Sequence, residues 1–154
     1  TSLYSTGTSL YAGSIMGKMM VSTDNGATWT AVTPPDGSEV HSIFMLDKTL
    51  YAGTLLGNVM VSSDKGATWQ ATAQQPDGSL VTSISSAAGA LYAATASGNV
   101  MRSTDGGANW ASTNQPGIDV RSLYGQGSTV YASTDYDQVV VSADNGNSWT
   151  PYRD

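Results

Sequence analysis

The chain has 154 residues, which is enough for one domain, and 40% of them are hydrophobic. Six basic and twelve acidic residues give a formal net charge of −6, so nucleic acid and anionic membranes are poor partners. The absence of cysteine excludes disulfides and thiolate chemistry, and no apolar run reaches the about 18 residues of a spanning helix. Only 12% of the residues are charged, and this neutral polar composition favours a secreted or periplasmic protein.

Strand-sized segments follow one another along the chain, and no segment shows helical periodicity. In the second of four similar units, we predict an inner strand over 40–44, strands over 50–54 and 58–62, and an outer strand starting at Trp69. The third strand is apolar on both sides, which is typical of a sheet covered on both faces. Each unit places a tyrosine at the same position of its second strand, and we predict a core role for Tyr11, Tyr51, Tyr92 and Tyr131.

The phrase Ser-x-Asp-x-Gly-x-x-Trp occurs once in each unit, at intervals of 40, 41 and 39 residues. We expect its Ser and Asp to accept backbone N–H groups of a tight turn, its Gly to adopt a positive φ, and its Trp to pack back as an apolar anchor. Because all four units share these positions, we interpret them as structural. They are Ser22, Asp24, Gly26 and Trp29; Ser62, Asp64, Gly66 and Trp69; Ser103, Asp105, Gly107 and Trp110; and Ser142, Asp144, Gly146 and Trp149.

This phrase resembles the Asp-box, and the whole chain is similar to the Asp-box (BNR-repeat) β-propellers, which include sialidases, xyloglucan-degrading hydrolases, sortilin-type receptors and photosystem II assembly factors. The resemblance implies an all-β propeller domain over 1–154, with four four-stranded antiparallel blades at approximately 1–35, 36–76, 77–116 and 117–154. Three modes of closure remain open: two copies complete an eight-bladed ring, four blades close on themselves, or the chain is part of a longer propeller. Of these, a homo-oligomer is favoured, in the form of a dimer that closes the ring.

Candidate binding residues lie where the units differ, because positions common to all four serve a common shape. The turn between the second and third strands of the fourth unit contains Asp135, Tyr136 and Asp137, which would bind a sugar, a cation or a basic peptide, or would form a solvated turn. His41 and Arg121 share one inner-strand position near the expected ring axis. His41 is interpreted as a hydrogen-bonded polar residue, and Arg121 as an anion-binding group or a solvated charge.

Two further departures concern single residues and apolar pairs. Arg102 stands where the other third strands have valine, and a charge among valines needs a partner. It is expected either to lie at an outer edge or to pair with an acid on a neighbouring blade. The pairs Ile15-Met16 and Leu55-Leu56 occupy turns that should share one face with the connectors between blades. They form either a surface for a protein partner or a partly buried layer beneath the adjacent connector.

No cofactor and no metal site are predicted, because a lone histidine and one regular carboxylate per phrase do not provide a ligand set. A sialidase would need converging arginines and a Tyr–Glu pair, whereas the chain has only three arginines and a single glutamate, Glu39. The leading hypothesis is therefore a non-catalytic propeller that serves as a protein-interaction or assembly scaffold. The alternatives are a fragment or engineered repeat protein that self-assembles into a closed propeller, and a carbohydrate-binding or glycoside hydrolase-related propeller with a glycan ligand.

Overall fold

The computed structural model describes residues 2–33, 35–114 and 119–152, which form sixteen β-strands in four sheets. Each sheet contains four antiparallel strands in chain order, so each repeat unit folds as one blade with its inner strand first and its outer strand last. This arrangement confirms the predicted all-β architecture of four-stranded blades. No helix within these ranges is long and apolar enough to cross a membrane.

The strands have the following bounds. Blade one contains β1 (Ser2–Ser5), β2 (Leu10–Gly13), β3 (Met19–Ser22) and β4 (Thr30–Val32). Blade two contains β5 (Val40–Leu46), β6 (Thr49–Thr54), β7 (Val59–Ser62) and β8 (Gln70–Ala71). Blade three contains β9 (Val81–Ala87), β10 (Ala90–Thr95), β11 (Val100–Ser103) and β12 (Ala111–Ser112). Blade four contains β13 (Val120–Gln126), β14 (Thr129–Thr134), β15 (Val139–Ser142) and β16 (Thr150–Pro151).

Four predicted boundaries in blade two were wrong by one or two residues: the second strand begins at Thr49 rather than 50, the third begins at Val59 rather than 58, and the inner and outer strands differ as follows. The inner strand continues past 44, because β5 and β6 pair as far as Leu46 and Thr49, with Asp47 at a φ of 55° in the turn between them. The outer strand begins only after Trp69. The indole N–H of Trp69 donates to the carbonyl of Gly66 at 3.1 Å, which keeps this residue in the Asp-box turn.

The Asp-box turns are held by the hydrogen bonds that the sequence predicts. Ser62 Oγ accepts from the Gly66 N–H at 2.8 Å and donates to Asp64 Oδ1 at 2.7 Å. Asp64 also accepts from the hydroxyl of Thr68 at 2.6 Å and from its N–H at 2.9 Å, and Gly66 has a φ of 88°. The other three boxes repeat the serine and aspartate contacts. The serine and aspartate of each box therefore bind within their own turn, whereas the tryptophan of the first box, Trp29, is 38% exposed.

Apolar clusters fill the space between consecutive blades. Between blades one and two, Tyr11 and Met19 on one side meet Ile43 and Leu50 on the other, and all four side chains are buried. Equivalent clusters join blades two and three and blades three and four. The core role predicted for the four repeated tyrosines holds for the first three, which are buried, whereas Tyr131 on blade four is only half-buried. Most of the core therefore lies between the sheets rather than within them.

The outward sides of blades one and four remain open. The inner strands pack in sequence, β1 beside β5, β5 beside β9 and β9 beside β13. Leu3 on the outward side of blade one is 69% exposed, and on blade four Tyr124 is 63% and Val139 is 41% exposed. The chain therefore forms an open arc, and the alternative in which its four blades close on themselves is wrong for this structure.

Candidate functional site

A concave groove of about 450 Å³ runs along the inner side of the arc. Residues 2–4, 41–44, 82–85 and 122–124 of the four inner strands line it. Serine hydroxyls connect neighbouring strands here: Ser42 Oγ accepts from the Ile84 N–H at 2.8 Å, and Ser83 Oγ accepts from the Leu123 N–H at 3.0 Å. These two serines satisfy backbone N–H groups at the inner edges of the sheets, whereas the hydroxyl of Thr82 in the same groove wall is buried with no hydrogen-bond partner among the described residues.

His41 lies in the groove, as its inner-strand position indicated. Its Nε2 lies 3.0 Å from Oε2 of Glu39, the sole glutamate, and both side chains are half-buried. Within the described ranges, no group of three or more His, Asp or Glu residues is arranged to hold a metal ion. The geometry of His41 is that of a side chain paired with a carboxylate.

Arg121 and Asp135 form a two-pronged ion pair on blade four. The guanidinium donates from Nε to Oδ1 and from Nη2 to Oδ2 of the carboxylate. This hydrogen bonding, reinforced by the opposite charge, lowers the pKa of Asp135 and raises that of Arg121. A general acid needs a raised pKa, so the environment of Asp135 is the opposite of the one that acid catalysis requires.

The remaining residues of this turn face solvent. Tyr136 is 69% exposed, and Asp137 is exposed and adopts a φ of 53°. In the other three turns, glycine occupies the Asp137 position with φ values of 69°, 81° and 79°. Asp137 thus keeps the backbone shape of the turn while adding a charge. The structure brings Arg121 and Asp135 together, and it places His41 on a different blade.

Arg102 is paired with a residue of its own blade. Its Nε donates to the hydroxyl of Tyr92 at 3.1 Å, and the two residues are opposite each other on neighbouring strands of blade three. The expected acid on an adjacent blade is not this partner. The neutral hydroxyl of Tyr92 therefore supplies the hydrogen-bond acceptor that a guanidinium on an apolar strand needs.

Two connector aspartates, Asp36 and Asp77, were not predicted as site residues. Asp36 Oδ2 accepts from the Thr54 hydroxyl at 2.7 Å and from the Asn58 amide at 2.8 Å, which ties the connector to the next turn of blade two. Asp77 makes the same contacts to blade three, at 2.6 and 2.8 Å. Burial raises the pKa of Asp36, but hydrogen bonds from Ser38, Thr54 and Asn58 outweigh it and the net pKa is lowered. The repeated Pro-Asp-Gly-Ser phrase at 35–38 and 76–79 was the signal.

One face of the arc carries the turns at 14–18, 54–58, 95–99 and 134–138, together with the described parts of the connectors, and we call it the connector face. The turns contact the connectors directly: the Leu55 N–H donates to the Glu39 carbonyl at 2.9 Å, and a Cβ on Gly57 would lie 2.7 Å from the Gly78 carbonyl oxygen. The apolar turn residues nevertheless point into solvent. Ile15, Met16, Leu55 and Leu56 are 60%, 76%, 44% and 61% exposed. Ile15, Met16 and Leu56 are therefore mostly exposed, whereas Leu55 is more than half covered.

The opposite face carries the Asp-box turns, and its polar groups are largely used within the chain. The carboxylates of Asp24, Asp64 and Asp144 each accept hydrogen bonds from the hydroxyl and the N–H of the residue four positions later. These bonds, the hydroxyl's first, lower the pKa of each of the three carboxyl groups to about 2. Asp105 shows the same direction of shift through Asn109. The two faces therefore differ: one is polar and internally bonded, and the other presents aliphatic side chains.

Comparison with known proteins agrees with this geometry. The family model described as the DUF6242 beta propeller domain matches residues 58–154, and the BNR/Asp-box repeat model matches residues 20–31. We found no match among curated proteins.

Solved structures give the same fold at low sequence identity. The computationally designed Ika8 protein is 16% identical, with a TM-score of 0.75 over 99% of this chain and 48% of that chain. The computationally designed Ika4 protein is also 16% identical, with a TM-score of 0.72 over 91% of this chain and 88% of that chain. YCF48 bound to D1 peptide is 20% identical, with a TM-score of 0.72 over 93% of this chain and 50% of that chain. The chain thus spans about half the length of the first and third of these structures.

Proposed function

Because the chain belongs to the family of DUF6242 beta propeller domains, we propose that it is a non-catalytic interaction scaffold that binds a protein partner on its connector face. The observation that carries this proposal is the set of exposed apolar side chains in the turns of blades one, two and four on that face. Exposed aliphatic and aromatic groups gathered on one surface are typical of sites that bind another protein. Ile15, Met16, Leu55, Leu56 and Tyr136 form this set.

The chemistry of the candidate catalytic residues supports the same proposal. A glycosidase needs two carboxyl groups, one of them held protonated. Asp135 is instead neutralised by Arg121, and its pKa is lowered. A solved propeller described as YCF48 bound to D1 peptide shows that this fold accommodates a peptide, which is an analogy of fold alone.

The proposal is tested with a photo-crosslinking amino acid at Leu56 on the connector face and, as the matched control, at Ala67 on the Asp-box face, both of which are exposed. Each variant is incubated with extract of the source cells, and crosslinked proteins are identified by mass spectrometry. A third variant carries the crosslinker at Met16, also on the connector face. We expect the same protein to be captured at Leu56 and at Met16 but not at Ala67. Adding Tyr136→Ser to the Leu56 variant should abolish that capture. Equal capture at Leu56 and Ala67 would overturn the proposal. So would glycoside turnover that disappears with Asp135→Asn or Asp137→Asn.

The second candidate function is self-assembly, in which two copies close one eight-bladed ring. The outward sides of blades one and four favour it, because Leu3, Tyr124 and Val139 lie exposed there. Light scattering tests this candidate directly, since a dimer has twice the 15.9 kDa mass of one chain. A persistent single-chain mass would contradict it.

A further inference from the structure

Every blade has two apolar sides, a forward side that faces the following blade and a backward side that faces the preceding one. On the forward side, the third-strand residues Met19, Val59 and Val100 are completely buried against the next blade. The same position on blade four is Val139, which is 41% exposed. The forward side of blade four is therefore a packing surface of the same type without its neighbour.

The backward sides show the same contrast at the other end of the arc. Ile43, Ile84 and Leu123 point from the inner strands toward the preceding blade and are 6%, 4% and 7% exposed. Leu3 occupies this position in blade one and is 69% exposed. Trp29, the first of the four Asp-box tryptophans, is 38% exposed on the same blade. The two open sides of the arc are thus the two halves of an interface that the chain already builds between its own blades.

Hydrogen bonds between the inner strands also repeat from one pair of blades to the next. Ser42 of blade two accepts from the N–H of Ile84 in blade three, and Ser83 of blade three accepts from the N–H of Leu123 in blade four. In blade four the serine at this repeat position is Ser122, which is exposed. In blade one the residue that corresponds to Ile84 and Leu123 is Leu3. A blade one packed against blade four would present the Leu3 N–H to the Ser122 hydroxyl.

We propose that the occupant of both open sides is a second copy of this chain, so that blade four of each copy packs on blade one of the other. This inference rests on the self-assembly candidate and names its interface. Val139 then becomes buried, Leu3 enters the contact, and Ser122 Oγ accepts from the Leu3 N–H of the other copy. One contact of this kind, made twice under two-fold symmetry, closes a ring without leaving an open side. The named positions carry no charge, so closure does not desolvate an ion.

The curvature of the arc is compatible with this closure. The chain aligns over 99% of its own length with 48% of the Ika8 chain at a TM-score of 0.75, so its four blades follow the course of about half of that propeller. Two such arcs complete one ring. A partner of unrelated structure would have to imitate both a forward and a backward blade side, which a second copy supplies by its repeat sequence.

The test uses two variants that each damage one side only. Leu3→Glu places a charge on the backward side of blade one, and Val139→Lys places one on the forward side of blade four. We expect the unmodified chain to show twice the 15.9 kDa mass and each variant alone to show the mass of one chain. An equimolar mixture of the two variants should return to twice the mass, because one contact then joins two native sides and the other joins Glu to Lys. Recovery in the mixture also shows that both variants are folded.

The matched control is Leu56→Glu, a substitution at a residue that is 61% exposed on the connector face and away from both open sides. It should leave the doubled mass unchanged. The inference is overturned if the unmodified chain stays at the mass of one chain throughout a concentration series, if its mass grows beyond two chains, or if Leu56→Glu lowers the mass as Leu3→Glu does. If no partner is captured at Leu56 while the doubled mass persists, only the proposal of partner binding on the connector face fails. The two proposals can therefore be tested separately.

Discussion

Ser83→Ala tests whether serine side chains hold neighbouring blades together. The substitution removes the acceptor of the Leu123 N–H, a buried hydrogen bond of 3.0 Å, while Ser83 itself is only 8% exposed. A buried donor left without a partner costs about 1–3 kcal/mol. Because Ser83 and Leu123 also line the groove, water can reach the freed N–H, so we expect the lower end, about 1 kcal/mol. For a chain of this size, that loss lowers Tm by about 2–4 °C.

The assay is denaturant unfolding in a chain that also carries Leu3→Glu, so that ring closure does not contribute to the measured free energy. The matched control is Ser122→Ala, which stands at the same repeat position but is exposed. Its free energy of unfolding should change by less than about 0.5 kcal/mol. The reasoning is refuted if Ser122→Ala destabilises the chain as much as Ser83→Ala does, or if Ser83→Ala has no effect.

Two further predictions concern packing and acid stability. Gly53→Ala would place a Cβ 2.5 Å from Val81 Cγ1, so we expect a loss of about 1–3 kcal/mol in the free energy of unfolding that shrinks when Val81→Ala is also present; equal losses in both backgrounds would contradict the clash. In the folded chain, the pKa values of Asp24, Asp64 and Asp144 are lowered from 3.8 to about 2. Because the unfolded chain therefore binds protons more readily, the stability that these carboxylates provide is intact above about pH 4 and is lost as the pH falls toward 2. Circular dichroism during acid titration should show a shallower loss for Asp64→Asn than for the unmodified chain, and an unchanged slope would argue against this assignment.

The architecture was predictable because its signals are local. Strand alternation, the glycine that needs a positive φ and the serine and aspartate that bind their own turn all act within a few residues, as in the box at Ser62–Trp69. Four copies of the same signal make the blade count unambiguous. Among the boundary errors in blade two, the end of β5 was set by a two-residue turn and the start of β8 by the indole hydrogen bond of Trp69.

The candidate site was predictable only in part. Asp135 was predicted as a departure from the repeat. Its ion pair with Arg121, however, depends on the pairing of β13 with β14, which brings the two side chains together. His41 was placed in the groove correctly by repeat position, yet its contact with Glu39 depends on the bend where β5 begins. The repeated Pro-Asp-Gly-Ser phrase marks Asp36 as a repeat position, but its contact with Thr54, eighteen residues away in sequence, depends on how the connector folds back onto blade two.

By itself, the sequence determined that this chain is a propeller of four blades, because the repeat period and turn chemistry are encoded within each unit. Only the tertiary structure decided which equivalent residues are buried. Leu3 and Leu123 occupy the same repeat position, but one is 69% and the other 7% exposed. The physical reason is that burial depends on the neighbouring blade. Leu123 packs against blade three, whereas within the described residues no blade covers the side of blade one that carries Leu3.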